Sequence, residues 1–179
     1  MTARRLATRR VYEGRVLRLD VDDVEEPGGV RAVREVVRHS GSVATLAVHD
    51  DGRVVLVRQY RYPVDREVWE LPAGRRDGSE SPVAGARREL EEETGLSAAS
   101  IEPLSTFFTT PGFCDEVMHL FRASGLRQGV SRPEDDERIE VRAFTLEEAN
   151  AMVRRGEIQE GKTLVALLLE LERRRAAGA

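Results

Sequence analysis

The sequence predicts an α/β or α+β sandwich, and two observations carry that expectation. Short apolar segments of strand character fill the first half of the chain, whereas helix-compatible segments lie at residues 81–94 and beyond 146. The strands do not alternate regularly with helices, which speaks against a repeated βαβ Rossmann arrangement. With 179 residues there is room for one domain and little besides.

The elements follow in order. In residues 16–22, Leu17, Leu19 and Val21 alternate with charged side chains, the period of a half-buried strand. Pro27-Gly28-Gly29 breaks the chain, and residues 30–37 resume with β-branched residues, so an antiparallel hairpin is expected. Two apolar runs, 43–48 and 54–57, flank Asp50-Asp51-Gly52, where the Asp-Gly pair supplies the positive φ of a tight hairpin turn. Residues 68–71 form a short strand stopped by Pro72, with Trp69 expected in the core or with an edge towards a nucleobase. Val83, Ala86 and Leu90 mark a helix over 81–94 that Gly95 ends. Strands are expected near 101–108, 116–121 and 139–144, and helices at 146–155 and 163–175.

Composition narrows the function. A net charge of −4 lacks the dominant basic surface of a nucleic-acid binder, so no nucleic-acid partner is expected. No apolar run approaches membrane-spanning length, and residues 1–6 lack a signal-peptide core, which makes a cytoplasmic location without membrane attachment the expectation. The single cysteine, Cys114, precludes an intrachain disulfide and suits a reducing compartment. Lys162 is the one lysine; all other basic residues are arginine. Carboxylates crowd into residues 89–93 and 134–140.

On the helix over 81–94, Glu89, Glu92 and Glu93 stand at i, i+3 and i+4, so all three project from one face. Like charges so close together destabilise a helix unless a hard cation such as magnesium neutralises them; the alternative is a solvated acidic face. Arg88 and Glu80 are placed to brace the preceding loop against the helix.

Spacing decides between these alternatives. Gly74, five residues, Glu80, seven residues, then Arg88-Glu89-Leu90-Glu91-Glu92-Glu93-Thr94-Gly95-Leu96 resembles the Nudix box at every fixed position. The resemblance implies a Nudix α/β/α sandwich with a mixed sheet and an N-terminal antiparallel β-hairpin extension. It also implies a diphosphate bond as the target, Mg2+ as cofactor (Mn2+ or another divalent cation in its place), and metal ligation by Glu89, Glu92, Glu93 and the Ala73 carbonyl. Glu92 and Glu93 thereby enter the catalytic set, and Glu91 is expected to face solvent.

Downstream residues resemble the ADP-ribose pyrophosphatase subgroup. Pro111 stands fifteen residues beyond Leu96, within Thr109-Thr110-Pro111-Gly112-Phe113, although an ordinary Pro-Gly turn would read the same. In Arg58-Gln59-Tyr60-Arg61, Arg61 matches a substrate-contacting arginine, and its planar fork suits phosphate oxygens. Glu116 matches a substrate carboxylate, Gly112 belongs to the same substrate-lining turn, and Glu137 matches the catalytic glutamate, with Asp135 close enough to compete. Residues 1–40 form the implied exchanged region of a homodimer, with residues 41–179 as catalytic domain. Arg34 resembles a contact to the adenine across the subunits, and Arg15 a weaker one. Residues 156–163 also resemble the subgroup, with Glu160 and Gly161 in place of a more usual Asp-Ala, and no role attaches to them. The expected reaction is hydrolysis of ADP-ribose to AMP and ribose 5-phosphate. Its alternatives are another nucleotide sugar or dinucleotide (GDP-mannose, NADH) and a sensor that binds ADP-ribose without cleaving it.

Overall fold

The structure is a computed structural model that describes residues 2–132 and 138–178. Its first strand, β1 (Arg4–Glu13), is exposed along its whole length and shows no alternation in hydropathy, so the sequence pattern does not reveal it. It pairs with β2 (Arg18–Glu26), which pairs in turn with β3 (Val30–Arg38), all antiparallel. The expected β2–β3 hairpin forms, with Gly28 and Gly29 both at positive φ in its turn. The N-terminal element is therefore a three-stranded sheet and not a hairpin alone. Charge pairing across the strands does what apolar alternation does elsewhere. Arg10 Nε lies 2.9 Å from Asp20, Arg4 Nη2 lies 3.4 Å from Glu25, and Thr8 donates to Asp22.

This sheet forms one compact unit with Phe107–Val117, and Ser42–Thr106 with Met118–Ala179 form another. A division by sequence at residue 40 thus leaves out a segment from the middle of the chain. That segment is sewn to the end of β3: Val37 N–H donates to Phe113 O at 2.8 Å, Asp115 N–H to Val37 O at 3.1 Å, and Arg38 pairs with Asp115 at 3.2 Å.

In the second unit, β4 (Ser42–Ala47) and β5 (Val54–Arg61) are almost wholly buried runs, as befits strands covered on both faces. The Asp-Gly turn between them forms: Gly52 has φ +85° and His49 N–H donates to Arg53 O at 2.9 Å. A bridge joins Val48 to Val54, but the two strands then part into different sheets. One sheet has the order β7 (Ala73–Arg75), β4, β9 (Val117–Gln128), β8 (Leu96–Phe108); it is mixed, because β4 runs antiparallel to β7 and parallel to β9. The other is antiparallel, in the order β10 (Glu140–Phe144), β5, β6 (Arg66–Glu70).

Helix α1 (Pro82–Thr94) packs on β4 and β7, and α2 (Leu146–Arg154) packs on α3 (Gly161–Ala177) and β10. Thr145 and Glu148 form a reciprocal capping box at the start of α2. Leu46, Leu56, Leu90, Leu120, Leu146 and Leu167 are among the fully buried side chains of this unit. Trp69 is half-buried and not in this core; it meets Phe144 edge-on at 5.1 Å, with the Arg58 and Arg142 guanidinium groups 5.4 and 5.6 Å from its ring. Among the described residues no helix is long and apolar enough to cross a membrane.

Candidate active site

Helix α1 begins where Ser81 accepts the Ala84 N–H and Pro82 takes the first helical position, and it stops at Gly95, whose φ of 71° few other residues adopt. Ala86 and Leu90 are buried, Glu91 faces solvent, and Glu89 and Glu93 reach β7. Glu93 is buried, and its Oε2 accepts the Ala73 N–H at 3.2 Å. The Glu89 carboxylate lies where a Cβ would stand at Gly74, so the glycine is there to admit that side chain, not to adopt an unusual backbone angle. Residues 73 and 74 are thereby brought together with Glu89 and Glu93.

Arg88 is the hub of the loop. Its Nη2 lies 2.8 Å from Glu80 Oε1 and donates to Arg75 O at 3.2 Å, while Nη1 reaches Glu89 at 2.8 Å and Glu92 at 2.9 Å. Glu80 also accepts the Asp77 N–H at 2.8 Å, which closes the expected brace between loop and helix. The Arg88 hydrogen bonds hold the Glu80 carboxyl below the usual carboxylate range, and Glu80 in turn raises Arg88 further. Among the described residues no three carboxylates or other metal-binding side chains close on one point. Glu89 and Glu92 turn to Arg88, and Glu93 turns to the Ala73 N–H.

The family profile of the NUDIX domain matches residues 38–167. The chain belongs to the Nudix family. It is 42% identical over 164 residues to an ADP-ribose pyrophosphatase of Bacillus subtilis, covering 90% of this chain and 89% of that one. Over the same length it is 40% identical to a methanol dehydrogenase activator of Bacillus methanolicus, again covering 90% and 89%. A solved structure of an ADP compounds hydrolase superposes with a TM-score of 0.85 at 24% identity, covering 99% of this chain and 97% of the other, and shows the same fold.

Of the remaining expected residues, Arg61 lies in the same unit as the Nudix box. Arg61, at the end of β5, grips Glu70 with Nε to Oε1 at 2.7 Å and Nη2 to Oε2 at 2.9 Å. Glu70 is 1% exposed and also receives Lys162 Nζ at 2.7 Å. Burial alone would push the Glu70 carboxyl up; the Arg61 hydrogen bonds and the Lys162 and Arg61 charges outweigh it and hold the group below its ordinary value. Thr163 Oγ1 accepts the Leu71 N–H at 2.9 Å and donates to Glu160, which caps α3.

Three expected substrate residues lie in the first unit. Glu116 accepts from Thr109 Oγ1 at 2.8 Å and stands 3.5 Å from His39 Nδ1. Gly112 sits in a turn in which the Phe113 and Cys114 N–H groups both donate to Thr110 O. Arg34 is exposed on β3 and pairs with Glu26 at 2.8 Å. Glu137 and Asp135 lie outside the described residues.

Sequence reasoning missed Glu70 as an anchor and gave Lys162 no task. A lone lysine in an arginine-rich chain was the one available signal. The run Arg173-Arg174-Arg175 suggests only a favourable helix end; in the structure Arg173 and Arg174 both hold Glu170, which is fully buried.

Proposed function

We propose that this Nudix hydrolase cleaves ADP-ribose to AMP and ribose 5-phosphate with Mg2+ as cofactor. The observation that carries this reading is the complete box, with Glu89 and Glu93 gathered over residues 73 and 74, in a chain so similar to an ADP-ribose pyrophosphatase. The donor set fits a hard divalent cation, because it consists of carboxylate oxygens beside a backbone carbonyl. Glu89, Glu92, Glu93 and the Ala73 carbonyl would hold it. Such a cation neutralises the diphosphate and lowers the pKa of bound water.

The rest of the work falls to side chains. Arg61 holds a phosphate of the substrate through its guanidinium. Glu137, or Asp135 in its place, accepts the proton of a water whose oxygen bonds to a diphosphate phosphorus while the bond to the bridging oxygen breaks. Glu116 and Gly112 line the substrate. In a homodimer with exchanged N-terminal segments, Arg34 reaches the adenine bound by the neighbouring subunit; the exposed Leu6, Val11, Tyr12, Val30 and Val33 support this pairing, since such side chains are covered in an interface. A cytoplasmic enzyme acting on a small nucleoside diphosphate, with neither nucleic acid nor membrane as partner, completes the reading.

The test is hydrolysis of ADP-ribose, GDP-mannose, NADH and diadenosine polyphosphates, with products identified, before and after chelation. Preference for ADP-ribose, loss of turnover with EDTA and recovery with Mg2+ are expected. Preference for another substrate overturns the pocket assignments and keeps the box chemistry, whereas ADP-ribose binding without turnover makes the protein a sensor.

A further inference from the structure

The stretch 156–163, which the proposed reaction leaves without a task, ends at the N-terminus of α3 and reaches the strand that leads into the box. Two contacts make that connection. Lys162 Nζ meets Glu70 Oε2 at 2.7 Å, and Thr163 Oγ1 accepts the N–H of Leu71, the next residue. Glu70 lies three residues before Ala73, and its side chain is the platform on which Arg61 rests.

The geometry of that platform is specific. Glu70 receives Nε and Nη2 of Arg61, the side edge of the guanidinium, so the Nη1 end of the plane is turned away from the carboxylate. A planar fork held on one edge has its other donors fixed in direction. Lys162 Nζ meets the same Glu70 Oε2 that accepts Arg61 Nη2, and its second partner is Glu160 at 3.2 Å. Lys162 is 9% exposed, so its ammonium is committed to these carboxylates and does not itself reach out to a ligand. A buried ion pair of this kind adds little net stability compared with a neutral pair of the same shape, and its value lies in orienting what it touches.

We propose that Glu70 and Lys162 are positioning residues that aim Arg61 at a substrate phosphate, so that the start of α3 sets affinity for the diphosphate. The proposal rests on the reading of Arg61 as a phosphate-binding residue. Ordering Arg61 beforehand spares the entropy of fixing a long side chain when substrate binds. The effect should fall on binding and leave the chemical step almost untouched.

The test compares wild type, Glu70→Gln/Lys162→Met, Lys162→Arg and, as a control remote from the box, Glu170→Gln. For each, calorimetry gives the Kd of a non-hydrolysable α,β-methylene ADP-ribose, steady-state kinetics separates KM from kcat, and a thermal melt gives Tm. The double variant replaces the buried charges by neutral groups, and its Tm should stay within a few degrees of wild type. Its Kd and KM should rise on the order of tenfold, with kcat within about threefold of wild type. Lys162→Arg keeps the cation on Glu70 and should retain wild-type affinity, whereas Glu170→Gln should lower Tm at unchanged Kd. A double variant that binds as tightly as wild type overturns the proposal, as does a rise in Kd that merely follows the loss of Tm across all variants. If wild type prefers another nucleoside diphosphate, the ADP-ribose reading falls and the same ratio of KM values is read on that substrate. A wild type that binds and turns over none of them sinks both.

Discussion

Two clusters of carboxylates and arginines stand on helices of the same unit, and they are built in opposite proportions. On α3, a single carboxylate, Glu170, collects Arg173, Arg174 and Arg122, with bonds of 2.8 to 3.1 Å. On α1 the ratio is inverted, and Glu80, Glu89 and Glu92 share the guanidinium of Arg88. Glu170 is fully buried and Glu92 is part-exposed, yet burial is not what separates them in function. A cluster saturated with cations ties elements together: Arg174 also donates to Gly52 O at 2.6 Å, fastening α3 to the turn after β4. A cluster in which carboxylates outnumber the arginine between them is poised to accept a further positive charge. The sign in excess distinguishes the two, where the mere presence of ion pairs does not.

The largest way to break this contrast is Glu93→Gln. Turnover of ADP-ribose should fall about 1,000-fold, equivalent to about 4 kcal/mol in the barrier, while the circular dichroism melt stays close to wild type. Retained turnover would dismiss Glu93 as a metal ligand. Gly74→Ala comes next. The new methyl group displaces the Glu89 carboxylate, a flexible end that moves at little cost to folding, so a loss of roughly 10- to 100-fold in kcat with a small change in Tm is expected. A large fall in Tm at unchanged rate would make that contact structural.

Glu170→Gln should do the reverse. Leaving three arginines around a neutral amide costs about 3 kcal/mol, which lowers Tm by about 6–12 °C in a domain of this size, while kcat at 25 °C is unchanged. The smallest effect is on acidification. Burial pushes the Glu170 carboxyl up, but hydrogen bonds from Arg173, Arg174 and Arg122 outweigh it and bring the group from 4.5 down to about 2. With the folded value below the unfolded one, the contribution is complete above about pH 5 and fades as pH falls from 4.5 to about 2. Urea melts should show the stability gap between wild type and Glu170→Gln narrowing by only about 0.7 kcal/mol from pH 5 to pH 4. A gap that widens on acidification would contradict the arginine cage.

What was legible in the sequence was local. Ser81, Pro82 and Gly95 set the limits of α1 because caps and stops depend on the residue itself. The carboxylates of the box showed themselves because the spacing of Glu89, Glu92 and Glu93 is fixed by the turn of a single helix. Strand β1 was illegible, since its partners are the charges of Asp20, Asp22 and Glu25 on the next strand and no apolar face is needed. The Asp-Gly turn was read correctly as a turn and wrongly as a hairpin between paired strands, because nothing near Gly52 says that β4 prefers β7 and β9 as neighbours. Arg61 shows the same limit: its type and place suggested an anion, while its Glu70 platform and the lysine behind it come from 9 and 101 residues further along the chain.

The parallel pairing of β4 with β9 joins Ser42 to Met118, and the entire box lies in the stretch of chain between them. On a ribosome, β4 emerges and waits without this neighbour until the box and β8 have also been made. Closing so long a loop has an entropic cost that the pairing recovers only after the ends meet, which slows folding relative to a domain of local contacts. The residues of α1 are therefore made before its sheet can be completed, and the side of β4 that β9 covers stays open in the meantime. Refolding from denaturant should consequently be most vulnerable to aggregation in the interval before β9 docks.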